Sequence, residues 1–171
     1  MASRSSPVAQ TFVFAGDGAV PNNRLPLLFY RAACTPDARD PAATLEDLFT
    51  GNGWTESWRN GIFAYHHYHS VTHEVLGIAR GHGRVRFGGE SGQDFDVAAG
   101  DVVVIPAGVG HKRLEASGDF LVVGADPPGC DYDLIKADPA AYEAARTRIA
   151  AVPKPEADPL TGANGGLLDA W

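Results

Sequence analysis

Between Trp54 and Ala125 the apolar residues come in short bursts, either alternating with polar ones or running together as in Val102-Val103-Val104-Ile105. In a strand successive side chains point to opposite faces, so this pattern predicts strands rather than helices. The candidates are 54–58, 62–69, 74–80, 84–88, 94–97, 101–105, 111–115 and 120–125. Gly81/Gly83, Gly88/Gly89, Gly92, Gly100, Gly108/Gly110 and Gly118 punctuate them as turns. Evenly spaced short strands with turn signals predict a sandwich or barrel. Two earlier strands are expected at 11–14 and 25–31, and Pro26 places the second at an edge or an end.

Two stretches change to helical spacing. Asp40 suits an N-cap, Pro41 the first helical position and Gly51 the stop, and Leu45, Leu48 and Phe49 form one stripe. Asp138-Pro139-Ala140-Ala141 repeats the same start. Tyr142, Ala145, Ile149 and Val152 supply its stripe, and Arg146 and Arg148 suit its C-terminal dipole end. These predict two peripheral helices, over 40–50 and 139–151. Residues 1–10 read as a loose arm, 11–152 as one domain with its barrel core near 54–126, and 153–171 as an irregular tail wrapping the surface.

The chain of 171 residues suits a single domain with a full core. Its 20 glycines and 12 prolines reinforce the many-turned reading. A net charge of -7, with no basic cluster, gives no electrostatic reason to bind nucleic acid or an anionic membrane. No run approaches the ~18 apolar residues a membrane span needs. Met1 to Gln10 lacks the apolar stretch of a signal peptide. Cys34 and Cys130 are too few for a disulfide scaffold and read as reduced thiols, so a cytoplasmic location is expected.

Chemistry concentrates in Tyr65-His66-His67-Tyr68-His69-Ser70-Val71-Thr72-His73-Glu74, which holds four of the six histidines. Histidine is the commonest metal ligand and the usual proton shuttle near neutral pH. Strand parity puts Tyr65, His67 and His69 on one face, and after a turn at Ser70 to His73 a returning strand brings Glu74 to them. A bulge at Ser70 would instead offer His73 in place of Glu74. Farther on, an apolar strand, the turn Pro106-Ala107-Gly108 and His111 supply a fourth group aimed at the same interior.

The spacing Gly61, five residues, His67, one, His69, four, Glu74, six, Gly81 resembles the first motif of the cupins. Gly100, five, Pro106, one, Gly108, two, His111 resembles the second, with Glu115 where the family usually has Asn. Asn52-Gly53-Trp54, Ser57-Trp58-Arg59-Asn60-Gly61 and the tail with Asp158-Pro159, Gly162 and Trp171 are similar to the bacterial YjlB-like cupins. The resemblance implies an all-β double-stranded β-helix, the cupin jelly-roll barrel. It implies one divalent transition metal held by His67, His69, Glu74 and His111, and a homodimer. Three imidazoles and a carboxylate suit Fe, Mn, Ni, Co, Cu or Zn, and ligand type alone does not choose among them.

Around that set, Tyr65, Arg59, Arg113 and His73 are the candidates for substrate contact or for support of the ligands. By parity His66 and His73 face away from the ligands and are expected at the surface or in support of the ligands, and His82 is expected in a solvated turn. No G-x-S-x-G, phosphate loop with Gly-Lys-Ser/Thr, C-x-x-C or H-E-x-x-H occurs. The expected function is a metal-dependent enzyme of dioxygenase, isomerase or decarboxylase type acting on a small molecule. The alternative is a barrel that binds or senses a small ligand without turnover.

Overall fold

The computed structural model describes residues 6–171. Positions 1–5 of the expected arm lie outside the described residues. The elements run β1 (Gln10–Phe14), β2 (Asn23–Tyr30), α1 (Pro41–Gly51), β3 (Thr55–Asn60), β4 (His67–Tyr68), β5 (Glu74–Arg80), β6 (His82–Phe87), β7 (Gln93–Ala98), β8 (Val102–Ile105), β9 (His111–Ala116) and β10 (Leu121–Asp126). Then come β11 (Ile135–Lys136), α2 (Tyr142–Ala150) and α3 (Leu167–Ala170). The strands build two antiparallel sheets, ordered β1-β2-β8-β5-β10-β3 and β11-β4-β9-β6-β7.

The burial patterns explain the two kinds of strand. Leu27, Phe29, Leu76, Ile78, Val103, Ile105 and Val122 of the six-stranded sheet pack on Val85, Phe87, Phe95 and Val97 of the other. This is the jelly-roll core between two facing sheets. The six-stranded sheet is covered on its back as well. There Leu28, Val75, Ala79, Val102, Val104, Val123 and Ala125 pack under Ala42, Leu45 and Phe49 of α1. Strands buried on both faces read as unbroken apolar runs, which is why β8 is Val-Val-Val-Ile. β6 and β7 have one wet face and alternate.

Both predicted caps form. Asp40 accepts from Ala43 N at 3.2 Å to start α1. Asp138 accepts from Ala140 N at 2.9 Å, but there the chain first makes a 3-10 turn over Pro139–Ala141 before α2 begins. The strand expected over 62–69 shrinks to His67–Tyr68. The reason is topological: β3 edges one sheet and β4 lies in the other, so 61–66 must cross between them. Pro26 sits in the half of β2 that precedes its pairing with β8, which begins at Leu28. Its carbonyl accepts from Trp171 Nε1 at 2.8 Å, tying down the C-terminus.

The tail is more ordered than its composition suggests. Asp158 is fully buried. It accepts from Tyr30 Oη at 2.7 Å, Leu160 N at 2.7 Å, Thr161 N at 3.0 Å and Leu167 N at 2.8 Å. That last bond sets the start of α3. Asp158→Ala would orphan four donors in one step. We expect it to cost about 3 kcal/mol or more, read as a lower urea midpoint. A midpoint within error of the parent would show that the tail does not support the barrel.

Candidate metal centre

The ligand candidates arrive from four places in the chain. His67 of β4 stands in register with His111 of β9, and their rings are 4.0 Å apart. His69 follows β4 directly. Glu74 opens β5 in the opposite sheet, paired with Ile105. The turn from Pro106 to Gly110 delivers His111. Gly108 has φ +88° there, and a Cβ would lie 2.6 Å from the Asn22 carbonyl, so only glycine fits. Gly108 N also donates to His69 O at 2.7 Å, which joins the two ligand segments.

Backbone carbonyls orient all three imidazoles. His67 Nδ1 lies 3.0 Å from Tyr65 O, His69 Nδ1 2.5 Å from Asp133 O, and His111 Nδ1 3.1 Å from Val109 O. A carbonyl only accepts, so each Nδ1 carries the proton and each Nε2 is left for the cavity. The ligand nitrogens all lie within 4.8 Å of one another, and every ring is buried. Glu74 Oε2 approaches His69 Nε2 at 3.2 Å and His111 Nε2 at 3.3 Å. These are ion-pair distances but lie off the hydrogen-bonding directions, so Oε2 is buried without a hydrogen-bond partner. Neighbouring ligand atoms, each about 2.1 Å from a shared ion, would stand about 3 Å apart. The orphaned oxygen and the freed nitrogens therefore fit a cation.

Without an ion the charges settle differently on each ring. Burial and the neighbouring His111 push His67 down to about 3. Burial also disfavours charge on His69, but the Glu74 carboxylate outweighs it and pushes His69 up to about 9. Burial opposes ionisation of Glu74 as well, yet His69 and His111 hold it far below the usual carboxylate range. The metal-free cluster thus favours an imidazolium on His69 beside the Glu74 carboxylate.

The enclosed space is small. Trp58, Phe63, Leu76 and Tyr132 complete a cavity of about 30 Å³ around the four polar groups. That volume admits an ion and about one water. Trp58 lies flat on Gly124, where a Cβ would come within 2.2 Å of the indole. Two residues on, past an irregularity in the pairing with β3, Asp126 is only 8% exposed. One of its oxygens has no partner. Burial and the Glu74 charge push its carboxyl up to about 7. Sequence reading missed Asp126, because a lone acid at a strand end carries no motif.

The remaining candidates separate. His73 is buried, not superficial. Its Nδ1 accepts from Ala107 N at 2.9 Å and its Nε2 donates to Pro153 O at 3.1 Å. Both nitrogens are taken, so His73 does not replace Glu74. Tyr65 stacks on Phe63 and lies 5.6 Å from the His67 ring, at the rim of the cavity. Arg59 does not reach the site. It grips Glu46 at 2.7 Å and Asp40 at 3.1 Å on the surface of α1. Arg113 stands opposite Val85, outside the cavity lining, and its N–H donates to Phe63 O at 2.9 Å. His66 pairs with Glu90 at 2.8 Å, and His82 is exposed at the start of β6.

Residues 58–123 match the cupin domain family. The chain is 43% identical to "Uncharacterized protein YjlB" of Bacillus subtilis (strain 168) over 95% of its own length and 96% of that protein's. Among solved structures, acireductone dioxygenase from Bacillus anthracis aligns with a TM-score of 0.42 and 14% identity, over 60% of this chain and 79% of that one. Procruciferin, an 11S globulin from Brassica napus, aligns at 0.39 and 18%, over 47% of this chain and 21% of its own. No helix among the described residues is long and apolar enough to cross a membrane. The chain belongs to the cupins, in the group that includes YjlB.

Proposed function

We propose that this protein is a metal-dependent small-molecule enzyme. His67, His69, His111 and Glu74 hold one divalent first-row ion, and the chemistry is of dioxygenase, isomerase or decarboxylase type. The carrying observation is the set of three carbonyl-bound Nδ1–H groups that leave three buried imidazole nitrogens facing one another, two of them beside an orphaned Glu74 oxygen. A bound ion supplies Lewis-acid polarisation of a carbonyl or enolate oxygen. The chain's own residues exclude water through Trp58, Phe63 and Tyr132 and keep Asp126 nearby as a carboxyl able to exchange a proton near neutral pH. The substrate is a small polar molecule that enters by displacing Phe63 and Tyr132, which are 44% and 60% exposed at the rim.

The small cavity also favours a second reading, a barrel that holds a metal and a small ligand without turnover. One experiment separates them. Protein loaded with each first-row metal in turn is incubated with a metabolite extract, while oxygen uptake and mass changes are followed. A mass change that needs both the metal and His67 supports the enzyme. Saturable ligand retention without any mass change supports the binder. Less than about a tenth of an equivalent of every metal after loading would sink both.

A further inference from the structure

A relay of side chains outside the metal cluster ends on one ligand. His69 Nδ1 donates to the main-chain carbonyl of Asp133, on the loop between β10 and β11. That loop also carries Tyr132, whose ring lies 5.2 Å from the His69 ring and lines the cavity. Two bonds from Ser70, the residue after His69, pin the Asp133 carboxylate. Ser70 N donates to Oδ1 at 2.7 Å, and Ser70 Oγ donates to Oδ2. Ser70 is fully buried. Its Oγ has a lone pair left, and Arg148 Nε of α2 donates to it at 2.7 Å.

We infer that Arg148, Ser70 and Asp133 are positioning residues for His69, and that the docking of helix α2 thereby sets how well the cluster holds its metal. The inference rests on the metal-centre reading above. Its physical basis is that one carbonyl fixes the plane of the His69 ring, and that carbonyl belongs to a residue whose side chain is fastened at both oxygens. The Ser70 hydroxyl has a single proton. Spent on Asp133, it leaves Oγ as an acceptor, which is what the Arg148 N–H requires. Donation runs from Arg148 to Ser70 to the Asp133 carboxylate, and His69 donates to the Asp133 carbonyl from the cavity side. Partners that orient metal-bound histidines are typically worth about 10- to 100-fold in metal affinity.

Arg146 supplies a control on the same helix. It is exposed, pairs with Glu143 at 3.2 Å and lies over the Tyr142 ring, away from Ser70. The test titrates Co(II) into the full-length chain and records its visible spectrum, with His67→Ala as the reference for a missing ligand. Arg148→Ala and Asp133→Ala should weaken binding by about 10- to 100-fold and alter the spectrum, while Arg146→Ala changes neither. Asp133→Asn, which keeps an oxygen for Ser70 N, should recover most of the affinity. A second readout needs no metal: the His69 Nδ1 proton should be slow to exchange in the parent and fast in Arg148→Ala, by NMR. Parent-like affinity, spectrum and exchange in Arg148→Ala would overturn the inference with the metal centre intact. Failure of the parent itself to bind Co(II) would overturn the metal reading instead, while the exchange measurement still decides the relay.

Discussion

Replacing His111 with alanine should lower metal affinity by at least about 100-fold while the barrel stays folded. His111 is buried between His67 and Glu74, its ring 4.0 Å from that of His67 and its Nε2 3.3 Å from the Glu74 carboxylate. His73 adjoins Glu74 in sequence, but Ala107 N and Pro153 O occupy both its nitrogens. The contrast makes the prediction sharp. His73→Ala should keep about one equivalent of metal, as His111→Ala should not, because only the latter removes one of the ligand atoms that define the site. His73→Ala should instead lose about 2 kcal/mol of stability, since it leaves a buried donor and a buried acceptor unmet. Metal analysis of both variants, beside urea titrations of both metal-free forms, checks the pair. Full metal in His111→Ala, or none in His73→Ala, would reject the ligand assignment.

Much of this arrangement is legible in the sequence, for reasons that can be traced to particular residues. Alternation in Asp94-Phe95-Asp96-Val97 and the unbroken Val102–Ile105 run report which faces are wet, so the two-sheet architecture can be read from them. Parity along a short strand and a Pro-x-Gly turn bring His67, His69, Glu74 and His111 toward one interior. What cannot be read is of two kinds. One is the crossing of 61–66 between sheets, which depends on global topology and not on local propensity. The other is the set of partners that orient the ligands. Tyr65 O, Val109 O and Asp133 O are main-chain atoms that any residue type would supply. Asp133 lies 64 residues from His69, with no spacing rule to connect them. Arg59 shows the opposite failure. Its type and place near the motif suggest a substrate grip, but two acids around α1 claim its guanidinium.

Metal affinity should rise about tenfold per pH unit between about pH 6 and 9, then level off, because one ligand must shed a proton to bind. On the proposed ligand set, that ligand is His69. Glu74 outweighs the burial of His69 and pushes its pKa up to about 9, so below that value a proton competes with the ion. His67, pushed down to about 3 mainly by burial, is already neutral throughout this range and adds no slope. Calorimetry in buffers of different ionisation enthalpy should therefore find about one proton released per ion bound near pH 7. The same shifts set the stability of the metal-free protein, with opposite signs on either side of neutrality. His69 is raised above its unfolded value, so its contribution is complete below about 6.5 and is lost as pH climbs through about 9; the whole effect is at most on the order of 3 kcal/mol. His67 and His73 are lowered to about 3 and about 4, mainly by burial, so they make the fold less stable as pH falls below 6.5. Metal-free protein should thus be most stable near neutral pH. The metal-loaded form should lack the decline on the alkaline side, because the ion has already displaced the His69 proton. Glu74→Gln removes the charge that raises His69, so it should abolish both the pH slope of binding and the alkaline loss of stability. A metal-free melting temperature that stays flat from pH 6.5 to 9, with a pH-independent affinity, would show that His69 and Glu74 do not share a proton in the folded chain.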